Sequence, residues 1–363
     1  MSTISLCMIV KNEESVLARC LDSARPLVDE IVICDTGSTD HTKSIALEYT
    51  DRVYDFEWID DFAAARNFSF SKATMDYILW LDADDVIEQA DRDAFCAFKK
   101  VLAPPVDIVM MPYHVAFDEK GNPTMTYQRE RLLRRDRGYR WESPIHEAII
   151  PSGHIIHCPI AVCHRKIGPG DPDRNLHIFE TMLAGGSRLD PRQHFYYARE
   201  LMYHERYDEA IRELTAFLDR GEGWAENCIT ACQDLYSCYL AQGKREDARR
   251  ALCRSFCYDA PRAEVCCALG SSFLSSGDMQ SAIYWYEAAR QRDKSDCGGF
   301  CSPDCHDFIP LLQLCVCYDR LGDHQAAEEY HCAAKKLKPD DAAVRYNENY
   351  FQSLRQKNRL TQD

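Results

Sequence analysis

The sequence has no long hydrophobic run. Its apolar stretches are short, and the one at residues 4–10 already contains a serine, whereas a membrane-spanning helix needs about 20 apolar residues. The first residues also lack the basic segment, apolar segment and small-residue cleavage site of a secretory signal. We therefore expect a cytoplasmic protein without a membrane span.

Positive charge is also in deficit. The chain has 43 Lys and Arg against 58 Asp and Glu, a net charge of −15, and proteins that bind the phosphate backbone are usually basic. We therefore expect no nucleic-acid partner. An acidic protein that binds an anionic ligand needs a metal ion or a local arginine cluster to do so.

Cysteine is abundant, but its pattern does not indicate a disulfide framework. Thirteen of the 19 cysteines follow residue 190, mostly within apolar helical stripes, and free cysteine packs as a small hydrophobe. The 46% hydrophobic and 28% charged residues are typical of a globular protein. A length of 363 residues favours two domains.

The first 185 residues alternate strand and helix patterns. Strands are predicted at residues 4–10, 30–34, 52–56 and 77–81, and helices at 13–24, 40–49 and 62–73. This alternation is typical of a mostly parallel sheet covered by helices. Ligands of such sheets bind beyond the carboxyl ends of the strands, where Asp35 and Asp82 follow two of the predicted strands.

Residues 186–363 show helical patterns only, with an internal repeat. Four similar segments place an alanine at Ala210, Ala248, Ala282 and Ala327. A period near 34 residues with a glycine turn resembles tetratricopeptide repeats. We predict about four helical hairpins, an insertion near residues 295–306 and a capping helix near residues 346–357. Such repeats could also pair two copies of the chain into a homodimer.

The sharpest local feature is the acidic end of the predicted strand 77–81. Asp82 and Asp84 are two residues apart, and carboxylates so spaced on an extended strand lie on the same side and can hold a divalent cation. The alternative is a solvated strand end that caps the next helix.

Two further clusters have open interpretations. Six arginines crowd one segment of the acidic first domain: Arg129, Arg131, Arg134, Arg135, Arg137 and Arg140. They could clamp a diphosphate or an acidic acceptor, or they could protect a solvated sheet edge. Cys297, Cys301, Cys305 and His306 could ligate zinc, although structural zinc sites usually pair their cysteines more closely, in two knuckles.

The first 90 residues resemble the family 2 glycosyltransferases, which have the Rossmann-like GT-A fold. The matching segments, in order, are residues 4–14, residues 29–40, Ala65-Arg66-Asn67 and residues 81–84. A catalytic domain followed by repeats is similar to a bacterial subgroup that includes the S-glycosyltransferases of glycopeptide bacteriocins. Residues 58–67 and 311–322 resemble motifs of that subgroup.

The resemblance implies roles for individual residues. Asn12 and Glu13 lie in the first motif, Asp35 would contact the uracil or ribose, Arg66 would line the nucleotide pocket, and Asp82 would touch the ribose or the metal. The main metal ligand would be Asp84, with His164 completing the site. Removal of the acceptor proton needs a base, and the candidates are Glu147, Glu142 and His146.

These implications predict a metal-dependent, inverting glycosyltransferase. It would use Mn²⁺ or Mg²⁺ and a nucleotide sugar, UDP-linked, and would act on a peptide or protein bound by the repeats. One alternative is a transferase acting on a cell-surface or lipid-linked glycan, with the repeats used for dimerisation. The other is a repeat scaffold without catalytic activity.

Overall fold

The computed structural model describes residues 2–102, 105–118, 121–168, 171–292 and 302–360. The chain divides into two compact units, Met1–Leu189 and Asp190–Asp363. The first unit contains all the strands of the described residues, and in the second every described element is helical.

The first unit is built on a mixed sheet. Its strands, in chain order, are β1 Ile4–Val10, β2 Glu30–Asp35, β3 Val53–Asp55, β4 Tyr77–Trp80, β5 Asp85–Val86, β6 Ile108–Phe117, β7 Pro123–Arg134, β8 Trp141–Glu142, β9 Ala148–Ile149, β10 Ile155–His157 and β11 Val162–His164. The main sheet has the order β3-β2-β1-β4-β7-β6-β11-β5, with β10 added beside β6, while β8 and β9 form a separate hairpin. The first four strands of that order are parallel, and β7 is antiparallel to β4.

Five α-helices accompany this sheet. They are α1 Leu17–Ala24, α2 Thr42–Leu47, α3 Phe62–Ser71, α4 Gln89–Val101 and α5 Arg174–Ala184. Strands β1, β2 and β4 are almost completely buried, as expected for parallel strands covered on both faces. The predicted helix at residues 13–24 begins four residues late because Asn12 has a left-handed backbone, with φ 55°, and a turn precedes Leu17.

The arginine-rich segment does not form an edge strand. Strand β7 pairs with β4 on one side and with β6 on the other, so the interpretation as a solvated sheet edge is wrong. Arg131 is completely buried, and its Nη1 lies 2.9 Å from Oδ2 of Asp85. Part of the cluster is therefore internal to the fold.

The second unit consists of helical hairpins. Its helices are α6 Pro191–Tyr203, α7 Tyr207–Arg220, α8 Ala225–Ala241, α9 Arg245–Arg254, α10 Ala263–Ser275, α11 Met279–Arg290, α12 Phe308–Arg320, α13 His324–Leu337 and α14 Ala342–Leu360. Consecutive pairs from α6 to α13 form four hairpins, which are tetratricopeptide repeats, and α14 follows them. The repeat alanines are completely buried, because only a small side chain fits between the paired helices.

The hairpin turns explain the glycine signal. Gly243, Gly277 and Gly322 have φ values between 73° and 83°, a left-handed conformation that costs glycine least. The first hairpin places Glu205 in the same conformation, with φ 58°. That repeat therefore lacks the glycine that marks the other three in the sequence.

The proposed zinc ligands fall partly outside the described residues. Cys297 and Cys301 lie outside them, whereas Cys305 and His306 are buried, and the His306 ring contacts the carbonyl of Arg292 at 3.2 Å. All cysteines of the described residues are free thiols. In the described parts of the chain, no helix combines the length and the apolar character needed to cross a membrane.

Candidate active site

Arg66 links two of the predicted site residues. Its Nη2 donates to Oδ1 of Asp82 at 2.7 Å, and its Nε donates to Oε1 of Glu147 at 2.6 Å. The guanidinium lies 5.2 Å from the ring centroid of Trp80 and 4.8 Å from that of Trp141. One buried cation therefore holds a carboxylate that follows β4 and another that precedes β9.

Contacts before and after Arg66 in the sequence fix helix α3. The side chain of Asp61 caps the helix by accepting from the backbone N–H of Ala64 at 2.8 Å, a typical N-cap contact. The Phe62 N–H donates to the carbonyl of Pro144 at 2.8 Å. The Asn67 side chain forms two hydrogen bonds with the backbone of Trp141. The segment that carries Glu147 is therefore fastened to α3 on either side of Arg66.

The acidic end of β4 is a turn. The strand ends at Trp80, and the Asp85 N–H donates to the Asp82 carbonyl at 3.0 Å, while the Asp82 N–H donates to Oδ2 of Asp85 at 2.9 Å. The extended geometry predicted for Asp82 and Asp84 is therefore wrong. Asp82 turns to Arg66, and Asp84 turns to His164.

Asp84, Asp85 and His164 form a group whose ligand atoms lie within 4.8 Å of one another. Nδ1 of His164 is 3.2 Å from Oδ1 of Asp84 and 3.6 Å from Oδ1 of Asp85. The antiparallel pairing of β11 with β5 puts His164 directly opposite Asp85. The fold thus joins residues that are about 80 positions apart in the sequence.

Asp85 is held by the protein on both oxygens. Oδ1 accepts from the Tyr113 hydroxyl at 2.8 Å, and Oδ2 lies 2.9 Å from Nη1 of Arg131. Asp85 is completely buried, whereas the Asp84 and His164 side chains are 17% and 28% exposed. Carboxylate oxygens suit Mg²⁺ and Mn²⁺, and imidazole nitrogen is a ligand of divalent transition metals. The donor set therefore fits a divalent cation, with Asp84 and His164 as the accessible ligands and Asp85 as the residue that orients them.

The charges of this site shift three pKa values. Hydrogen bonds with Asp84 and then Asp85 raise the pKa of His164 to about 10. Burial raises the pKa of Asp82, but the charges of Arg66 and Arg131 outweigh that effect and lower it to about 2. Burial and the charges of Asp84 and Asp82 raise the pKa of Glu13 to about 7. These carboxylates therefore share one acidic edge of the sheet.

The remaining predicted nucleotide contacts follow β1 and β2. Oδ1 of Asn12 accepts from the Thr39 N–H at 2.8 Å. Oδ1 of Asp35 accepts from the N–H groups of Gly37 and Ser38, both at 2.8 Å. Oδ2 of Asp35 is buried and has no hydrogen-bond partner among the described residues. A buried acceptor without a partner is a free-energy cost that a donor group of a ligand would relieve.

The other two base candidates lie around the β8–β9 hairpin. Glu142 is exposed at the end of β8. His146 stacks on Phe179 with 6.1 Å between ring centroids and has a left-handed backbone, with φ 50°. Ser143 and Asn12 are also left-handed. Such backbone conformations of non-glycine residues cluster at functional sites.

Sequence reasoning gave no role to Asp85, Tyr113, Trp80 or Trp141, and it left Arg131 among alternatives. Asp85 carried a signal, since it extends the acidic strand end. The three aromatic residues carried none, because a tyrosine or tryptophan among apolar residues is compatible with ordinary core packing.

A known protein-family model matches the segment of the chain that carries this site. Residues 5–165 match the sequence model described as glycosyl transferase family 2. Residues 5–165 form a family 2 glycosyltransferase domain. The family 2 domain contains every predicted site residue, from Asn12 to His164. The chain joins it to tetratricopeptide repeats.

Three curated relatives share parts of this arrangement. A TPR repeat-containing protein of Synechococcus elongatus is 29% identical over 298 residues, which are 80% of this chain and 66% of the relative. The SPbeta prophage-derived glycosyltransferase SunS of Bacillus subtilis is 27% identical over 227 residues, 58% of this chain and 51% of SunS. The lipopolysaccharide core biosynthesis glycosyltransferase LpsC of Rhizobium meliloti is 27% identical over 162 residues, 42% of this chain and 58% of LpsC. The chain thus spans between about half and two thirds of the length of these relatives.

Solved structures resemble each domain in turn. Glucosyl-3-phosphoglycerate synthase from Mycobacterium tuberculosis, in complex with Mn²⁺ and UDP-glucose, has a TM-score of 0.36 and 16% identity, and covers 52% of this chain and 81% of its own. The TPR protein YrrB has a TM-score of 0.38 and 14% identity, and covers 49% of this chain and 84% of its own. At these scores the likenesses carry no argument about ligands.

Proposed function

We propose that the protein transfers a sugar from a UDP-linked nucleotide sugar to a side chain of a peptide or protein, in a metal-dependent reaction that inverts the anomeric carbon. The observation that carries this proposal is the paired site at the carboxyl edge of the sheet. There, Asp84 and His164 lie beside the Arg66 bridge between Asp82 and Glu147.

Binding of the nucleotide-sugar donor is proposed from side chains that remain accessible or lack a hydrogen-bond partner at this edge of the sheet. The buried Oδ2 of Asp35 has no hydrogen-bond partner among the described residues, and it would accept a hydrogen bond from the uracil or ribose of a nucleotide. Asp84 and His164 would hold Mn²⁺ or Mg²⁺. When bound, the cation would neutralise the charge that develops on the departing diphosphate.

The acceptor side of the proposal assigns the general base to Glu147. Its ion pair with Arg66 fixes the position of Oε1, while Oε2 makes no hydrogen bond to a described residue. General-base assistance contributes about 10²–10⁴-fold to such reactions. Glu142 is the second candidate, since it is exposed on the neighbouring hairpin, and His146 is the third.

The peptide acceptor is proposed from the repeat domain, because solenoid surfaces bind extended partners. A second candidate function is transfer to a lipid-linked or cell-surface glycan. The similarity of the catalytic domain to LpsC, whose name refers to lipopolysaccharide core biosynthesis, favours it. In that case the repeats would serve dimerisation.

The first experiment is donor hydrolysis by the full chain. UDP release would be measured across a panel of nucleotide sugars with Mn²⁺, with Mg²⁺ or with EDTA. We expect release from one UDP-sugar that EDTA abolishes and that Asp84→Asn reduces. Asp93→Asn, at an exposed carboxylate of α4 away from the site, is the matched control. Absence of both UDP release and calorimetric UDP binding would favour a non-catalytic scaffold.

A second experiment separates the acceptors. The protein would be incubated with the active UDP-sugar and either cysteine-, serine- and threonine-containing peptides or lipid-linked glycans. Mass spectrometry of the peptides and NMR of the new anomeric proton would identify the acceptor atom and the stereochemistry. Glycan transfer without peptide transfer would overturn the peptide proposal while leaving the donor chemistry intact.

A further inference from the structure

A pocket of about 260 Å³ lies in the first unit between α3, β4 and the end of β7. Its apolar lining comes from Phe70, Ile78, Leu133 and Tyr139. Its charged lining consists of three members of the arginine-rich segment, Arg134, Arg135 and Arg140. Asn67, which holds Trp141 in the candidate active site, also lines the pocket, but the candidate active site uses none of the apolar or charged side chains named here.

The pocket lies at the opposite end of β4 from the acidic turn. Arg134 is in register with Tyr77, the first residue of β4, and Leu133 is in register with Ile78. The metal-ligand candidates instead follow Trp80, the last residue of that strand. The nucleotide site and this pocket are therefore at different edges of the sheet.

The three arginines differ in how far the protein satisfies them. Arg134 donates to Asp136 at 2.7 Å, and Nε of Arg135 donates to the Met75 carbonyl at 2.6 Å. Arg140 is exposed and makes no hydrogen bond or ion pair to a described residue. Arg140 therefore places a positive charge beside the apolar pocket, and no described residue supplies its counter-charge.

Nearby carboxylates are already engaged. Asp107 accepts from the His154 N–H at 2.9 Å and from Arg137 at 3.0 Å. Asp76 accepts from the Thr3 N–H at 2.9 Å, and hydrogen bonds from Thr3 and then the charge of Arg135 lower the pKa of Asp76. Asp136 is the one that neutralises Arg134. These pairs leave the outer face of Arg135 and the whole guanidinium of Arg140 as the cationic surface of the pocket.

We propose that this pocket binds an organic anion, a phosphate or carboxylate carried on an aromatic or apolar body. Guanidinium groups bind such oxygens through paired hydrogen bonds, while Phe70, Leu133 and Tyr139 contact the apolar body. Ligand pockets typically combine an apolar lining with a few polar groups that fix orientation. The site is separate from the donor site and does not depend on the proposed transferase activity.

The test is ligand-observed fluorine NMR on the full chain with para-fluorophenyl phosphate as the probe. We expect binding that survives saturating UDP and Mn²⁺, since the two sites lie at different edges. Inorganic phosphate should compete only weakly, because it lacks the apolar body, and para-fluorobenzyl alcohol should not bind, because it lacks the charge.

Variants assign the binding to the pocket. Combined Arg135→Ala and Arg140→Ala should weaken probe binding about tenfold, the loss expected for removed charge-assisted hydrogen bonds. Lys100→Ala removes one exposed cation of α4 that does not line the pocket, so it is the control for loss of surface charge and should leave binding unchanged. Ser71 lines the pocket and is exposed, so Ser71→Trp should fill the pocket and block the probe without removing a charge.

Several results would overturn the proposal. No binding at millimolar probe, or equal binding by the double variant and the parent, would remove the site. Displacement of the probe by UDP in both the parent and the double variant, with equal probe affinity in the two, would place the probe in the nucleotide pocket instead. If inorganic phosphate bound as tightly as para-fluorophenyl phosphate, the apolar lining of the pocket would contribute nothing to binding.

Discussion

Replacing Arg66 tests whether one cation holds the two halves of the candidate site together. Arg66→Met keeps a similar length but removes both ion pairs, to Asp82 at 2.7 Å and to Glu147 at 2.6 Å. It also removes the cation that lies over Trp80 and Trp141. Two carboxylates would then share a partly buried site without a counter-charge.

The magnitude follows from the exposure of the partners. Removing one member of a buried ion pair costs about 3–5 kcal/mol, because it leaves an uncompensated charge. The Asp82 and Glu147 side chains are 34% and 13% exposed, so water offsets part of the cost at Asp82. We therefore expect the free energy of unfolding to fall by about 3 kcal/mol, at the lower end of that range.

The assay is urea denaturation of the full chain, followed by tryptophan fluorescence, since Trp80 and Trp141 both contact Arg66. Arg66→Lys should lower the free energy of unfolding by about half as much as Arg66→Met, because an ammonium lacks the forked guanidinium that donates to two carboxylates at once. The summed effects of Arg66→Met and Glu147→Gln on the free energy of unfolding should differ from the effect of the double variant by about 1 kcal/mol or more, because residues in contact are energetically coupled. A loss below about 0.5 kcal/mol in Arg66→Met, typical of a surface substitution, would refute the bridging role.

Three other predictions concern the candidate metal site, a buried carboxyl group of the repeat domain and the cysteines. Asp84→Asn should weaken Mn²⁺ binding by calorimetry at least about 10-fold, and unchanged binding would move the metal site elsewhere. Burial, partly offset by Arg199, raises the pKa of Asp234 to about 6. The stability that this group contributes is therefore present below about pH 4 and is lost as the pH rises through 6. In urea denaturation, the free energy of unfolding of Asp234→Asn minus that of the parent should therefore increase by up to about 3 kcal/mol from pH 4 to pH 7. Exposed Cys96 should react with maleimide before Cys7, whose pKa burial raises, and peptide mass spectrometry would show the opposite order if Cys7 were accessible.

Much of the first domain could be predicted because parallel strands leave a strong local signal. Strand β1 has the predicted bounds, and β2 and β4 differ from them by one residue at their ends. These strands are buried on both faces, so their sequences are nearly continuous apolar runs. Acidic residues at their ends then stand out, and the acidic edge of the sheet could be predicted from Asp35 and Asp82.

The local sequence does not predict the partners of those acidic residues, because they depend on pairing between distant segments. Only the family resemblance brought His164 together with Asp84. His164 meets Asp84 only because β11 runs antiparallel to β5. Arg131 reaches Asp85 from the interior of β7, and nothing in its local sequence distinguishes a core arginine from a surface one. Long-range register of this kind has no local sequence signature.

The acidic turn shows why residue spacing alone is an ambiguous guide to a metal site. Asp82, Asp84 and Asp85 have the same chemistry and lie within four positions, yet Arg66, His164 and Arg131 give them three different surroundings. An extended strand would have aimed Asp82 and Asp84 at one cation. The turn instead separates them, so that Asp82 connects to Glu147 through Arg66 while Asp84 faces the accessible imidazole. A change in the turn would therefore alter the metal ligands and the carboxylate bridge together, even with every acidic residue retained.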